Sequence, residues 1–85
     1  MKKIYILVIN DLRNVGYNCK DVEVFTDEPS ATKRMAELYL NAFNDYYGED
    51  SGIDPFDEDT MDYQLTERYA YIFGEYYFDI FEKEI

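Results

Sequence analysis

The 85-residue chain predicts an α+β domain of order ββαββ, a four-stranded antiparallel sheet with one helix packed on a face. Three observations carry this. A continuous β-branched run, Ile4-Tyr5-Ile6-Leu7-Val8-Ile9, reads as a central strand covered on part of both faces. Between Ala31 and Tyr46 apolar residues recur at helical spacing. From Tyr63 onward aromatic and β-branched residues dominate, as they do on pleated, half-buried surfaces.

Each element follows from local chemistry. Residues 10–20 are polar and contain Asn14, Gly16 and Asn18, so they form a connection. Val22-Glu23-Val24-Phe25 alternates as a second, shorter strand, an antiparallel neighbour of the first. Thr26 is the expected N-cap of a helix over 27–47, with Asp27 and Glu28 at its positive end. Pro29 is tolerated there, because amides of the first turn have no intrahelical acceptor. The buried stripe is Ala31, Met35, Leu38, Ala42 and Tyr46, widened by Tyr39 and Phe43. Gly48 is the natural stop. Residues 48–62 hold Gly, Pro and many acids, with Ile53, Phe56 and Met61 the only large apolar residues, and read as an acidic surface loop. Tyr63 to Phe73 reads as one strand. A hairpin turn at Gly74-Glu75 then leads into a last strand from Tyr76, although Tyr77, Ile80, Phe81 and Ile85 also fit a helical stripe. Residues 1–85 thus form a single domain.

Composition excludes several functions. Hydrophobic residues make up 47% and aromatics 19%, too many for an acidic disordered tail. No histidine is present, which removes Ser-His, Cys-His and zinc-histidine chemistry. Cys19 is alone, so no internal disulfide forms and a free thiol is expected. The four glycines are scattered, without a phosphate-binding loop. EF-hand spacing fails from Asp50, where position 6 is Pro55 and position 12 is Met61, and from Asp57, where position 5 is Met61. The aromatic stretch Arg68–Phe73 is read as packing, because the rest of an RNA-binding sheet is missing. The expected protein is therefore not an enzyme, and has no catalytic residues, metal ligands or cofactor. The opening apolar run of six residues is shorter than a secretory core and far shorter than a membrane span, so no membrane association and a cytoplasmic location are expected.

Charge carries the functional signal. Eight basic against 19 acidic residues give a net charge of −11, which opposes direct binding of nucleic acid or anionic lipid. Asp45, Glu49, Asp50, Asp54, Asp57, Glu58, Asp59 and Asp62 fall within 18 residues that contain no base. One DNA strand presents a phosphate every ~3.4 Å. Carboxylates at i, i+2 on a strand lie about 6.6–6.8 Å apart, and i, i+4 pairs on a helix about 6 Å, so either can imitate a row of phosphates. Tyr46 and Tyr47 sit inside the cluster as candidate packing anchors.

In size, acidity, tyrosine content and the Asp45–Asp62 cluster, the chain resembles small acidic anti-defence proteins of phages and mobile elements, the anti-CRISPR and anti-restriction DNA mimics. That resemblance is one of kind, without a shared fold or motif. It implies stoichiometric, non-catalytic blocking of a basic nucleic-acid-binding protein, with a CRISPR or restriction nuclease as the candidate class. The alternative reading is a small self-associating module, a homodimer joined through an aromatic sheet, with no nucleic-acid-related target.

Overall fold

A computed structural model describes residues 2–12 and 19–85. The order is β1 (Lys3–Asp11), β2 (Cys19–Phe25), α1 (Glu28–Tyr47), β3 (Tyr63–Leu65), β4 (Tyr69–Ile72) and β5 (Tyr76–Glu84). All five strands join one antiparallel sheet in the order β2-β1-β5-β4-β3. The α+β class and the single helix on an antiparallel sheet agree with the sequence expectation. The strand count does not, since the sheet has five strands and the order is ββαβββ.

The extra strand comes from a break in the expected Tyr63–Phe73 strand. Thr66 closes a tight turn. Its backbone N–H and its hydroxyl both donate to the Tyr69 carbonyl, and its hydroxyl also accepts from the Tyr69 N–H. The chain reverses over Thr66-Glu67-Arg68, and Leu65 pairs with Ala70. The reversal also flips parity. Tyr63 and Leu65 share the core face with Ala70 and Ile72, not with Tyr69 and Tyr71.

β1 and β2 each extend beyond their expected bounds, pairing from Tyr5↔Phe25 to Asp11↔Cys19. Of the expected connection, residues 13–18, including Gly16, lie outside the described residues. The last segment is strand throughout, paired along its length with β1 from Lys3↔Glu84 to Asp11↔Tyr76. Gly74, at φ +77°, supplies the left-handed residue of the β4–β5 turn, which is closed by the Glu75 N–H donating to the Ile72 carbonyl.

The helix begins one residue later than expected. Asp27, not Thr26, is the N-cap, and its carboxylate accepts from both the backbone N–H and the hydroxyl of Ser30. Those two bonds hold the Asp27 carboxyl below its ordinary range. Asp27→Ala should lower the melting temperature by a few degrees, because an orphan backbone N–H of the first turn and the Ser30 hydroxyl lose their acceptor. Thermal unfolding checks this; an unchanged midpoint would leave the cap without a stabilising role. Gly48 ends the helix at φ +88°, its N–H donating to the Asn44 carbonyl.

The core lies between α1 and one sheet face. Ala31, Met35, Tyr39, Ala42 and Phe43 of the helix pack over Leu7, Ala70, Ile72, Tyr76, Phe78 and Ile80. The stripe is thus centred on Tyr39 and Phe43. Leu38 sits at its margin, and Tyr46 is exposed. Among the described residues no helix lies on the opposite sheet face, where Ile4, Ile6 and Val8 of β1 are half-buried.

Candidate functional site

Loop 48–62 runs from the C-terminal end of α1 to β3 without regular secondary structure. Short side-chain turns shape it. Asp54 accepts from the Phe56 N–H and Asp57 from the Asp59 N–H, each at 2.9 Å, and the Asp57 N–H donates to the Asp54 carbonyl in a turn around Pro55. Two buried tyrosines tie the loop to the core. The Tyr39 hydroxyl donates to the Pro55 carbonyl at 2.6 Å, and the Tyr63 hydroxyl to the Asp54 carbonyl at 2.9 Å. Around them the rings of Phe43, Tyr47 and Tyr63 meet at 4.6–5.6 Å between centroids. An aromatic platform therefore underlies the acidic segment.

The acids of this segment face water. Asp45, Glu49, Asp50, Asp54, Asp57, Glu58, Asp59 and Asp62 are all exposed. Among the described residues, none of the seven from Glu49 to Asp62 is paired with a base. The ion pairs gather instead around the first three turns of α1. Arg34 contacts Glu23 and Glu37, Arg68 contacts Glu28 and Glu82, and Lys3 contacts Glu82. Arg68 also lies 5.6 Å from the centre of the Tyr5 ring. Outside the eight clustered acids the chain holds 11 acids and 8 bases, a net of only −3. Most of the net charge is therefore in the loop and the last helical turn.

The helix adds to that field. Its C-terminal end carries partial negative charge, and no base lies in its last turn. Asp45, Glu49 and Asp50 sit in or just beyond this turn, where carboxylates are unfavourable for stability by about 0.3–1 kcal/mol each at low salt. Among the described residues no three acids converge closely enough to hold a metal ion.

The loop field reaches the tyrosines. Burial pushes the Tyr63 hydroxyl above its ordinary value, reinforced by Asp57, Asp54 and Asp62. Tyr47 is raised by burial and by Asp62. Tyr39 is raised strongly, chiefly by burial. All three keep their protons past the unfolded value of about 10. Their contribution to stability is therefore complete below about pH 10 and is lost as pH rises through the folded values. Melting temperature should hold across neutral pH and fall above about pH 10, with these hydroxyls lagging the others in an ultraviolet phenolate titration. A midpoint independent of pH through that range would contradict the assignment.

Of the expected anchors, Tyr46 is half-exposed and stacks edge-on against Tyr47 at 4.7 Å. Tyr47 is committed to the platform through Phe43 and Tyr63 and serves packing first. The sequence reading missed the apolar residues of the loop as contact surface. Ile53, Phe56 and Met61 are 41%, 56% and 86% exposed, interleaved with the acids. Phe56, Asp57 and Glu58 line a recess with Gln64, Leu65 and Glu67. Their signal was an apolar residue without periodic company in a charged segment.

Compared with protein families, curated proteins and solved structures, the chain matches none. No helix among the described residues is long and apolar enough to cross a membrane.

Proposed function

We propose that the protein is a non-catalytic inhibitor whose acidic loop occupies the basic nucleic-acid-binding site of a larger protein. A CRISPR or restriction nuclease is the class proposed. One observation carries this reading. Seven exposed carboxylates with no basic partner among the described residues are collected on one anchored loop, beside the negative end of α1. A carboxylate surface of this kind offers Lys- and Arg-lined channels the charge that a phosphate backbone offers. The exposed Phe56, Met61 and Tyr46 supply contact area between the charges. Steering by the loop field makes association fast and salt-sensitive.

The test is capture from bacterial lysate by the immobilised full-length chain, eluted over a salt gradient beside a loop charge-reversed variant. The reading expects nucleic-acid-binding proteins that elute as salt rises and are lost with the variant. An identical captured set on both, or one without nucleic-acid-binding proteins, overturns it.

A further inference from the structure

The sheet face opposite α1 is an apolar surface. Register places its residues in rows across the strands. One row is Val24, Ile6 and Phe81; the next is Val22, Val8, Asp79 and Tyr69; the third is Asn10, Tyr77, Tyr71 and Gln64. Val22, Val24, Phe81 and Tyr69 are 52%, 60%, 55% and 43% exposed. The first row has no polar side chain at all. Tyr71 and Tyr77 stack at 6.0 Å, and the Tyr69 hydroxyl reaches Gln64. The face is therefore ordered by its own contacts before anything covers it.

We propose that this face is the contact surface of a homodimer, with a second copy of the chain packed on it sheet to sheet. Area supports a second copy. Four strands at about 4.8 Å spacing and four alternate positions at about 6.8 Å give a plan area of about 500 Å² with side-chain margins, and on the order of 700 Å² of accessible surface. A specific interface buries about 600–1,000 Å² on each partner.

Charge supports the same occupant. The chain carries −11, yet Asp79 is the one acid in these rows, and register adds Lys83 opposite Ile4. Two copies can meet here without setting their acids against each other. A two-fold pairing also suits a face that must be complementary to itself. The product is a four-layer stack, helix-sheet-sheet-helix, with sheets about 10 Å apart. Loop 48–62 meets this face only at its β3 border, where Phe56, Asp57 and Glu58 lie beside Gln64.

Salt separates this association from the loop-mediated one. Self-association brings like net charges together, so it strengthens as salt rises; binding of a basic partner weakens. Sedimentation equilibrium of the full chain from about 1 µM to about 1 mM, at low and moderate salt, reads both stoichiometry and sign. The expected result is a species of twice 10.2 kDa whose fraction grows with salt. Phe81→Asp and Val24→Lys, each at an exposed position, should raise the dimer dissociation constant at least ~100-fold with the secondary structure unchanged by circular dichroism. The loop charge-reversed variant should dimerise at least as well as the natural chain. A single 10.2 kDa species throughout overturns the proposal. So does a dimer indifferent to both face substitutions, which would be formed elsewhere, for instance along the free edge of β2. Loss of lysate capture in the face variants of a monomeric chain would assign the face to a different protein and overturn it equally.

Discussion

Lysine at Glu49, Asp50, Glu58 and Asp59 together is expected to weaken binding of the captured partner at least ~100-fold while the fold persists. These four are chosen because they are exposed and their carboxylates accept none of the bonds that shape the loop, unlike Asp54 and Asp57. Each replacement shifts charge by two, so the net falls from −11 to −3. The accompanying sign on stability is the sharper part. Glu49 and Asp50 flank the negative end of α1, and bases there suit the helix. Melting temperature should hold or rise by a few degrees as binding is lost. Binding unchanged in affinity and salt dependence would remove the loop from the interface. Binding lost together with a lowered melting temperature would point to damaged folding instead.

Phe43→Ala is expected to give the largest loss of stability. Phe43 is 2% exposed, and its ring meets Tyr47 at 4.6 Å, Tyr63 at 4.9 Å and Tyr39 at 6.0 Å. Removing such a ring costs about 3–5 kcal/mol. A domain of this length has about 4–13 kcal/mol in total. The melting temperature should drop by roughly 15 °C or more, and the chain should be partly unfolded at room temperature if its stability lies at the low end. The effect extends to the loop, because Tyr39 and Tyr63, which hold Pro55 and Asp54, lean on the lost ring. Chemical denaturation measures the first consequence, and limited proteolysis within 48–62 the second. A drop of less than about 5 °C would show that the platform is not the keystone of the core.

The sequence made some of this legible and hid the rest for identifiable reasons. The helix could be read because Ala31, Met35, Ala42 and Phe43 repeat at its period and Gly48 stops it. The break at Thr66-Glu67-Arg68 could not, because aromatic residues on both sides have the same strand preference, and only the Thr66 turn decides that the chain reverses. Thr26 and Asp27 are both favoured cap residues, and the extended backbone at Asp27 with its carboxylate on Ser30 makes it the cap. Exposure of the loop acids was legible from composition. The lack of bases beside them was not, since Arg34 and Arg68 find Glu23 and Glu28 only through the packing of the helix on the sheet. The open face was concealed in the same way. The continuous apolar run of β1 looks equally buried on both sides until the single helix is seen to cover one.

The central claim is that the acidic loop stands in for a polynucleotide, and displacement tests it most directly. A fluorescent DNA duplex is bound to the captured partner, the natural chain is titrated in, and anisotropy follows release. Full release near one equivalent per binding site, with the required concentration rising as salt increases and no release by the four-lysine variant, is the expected result. A ternary complex in which the duplex stays bound at saturating protein would contradict the claim.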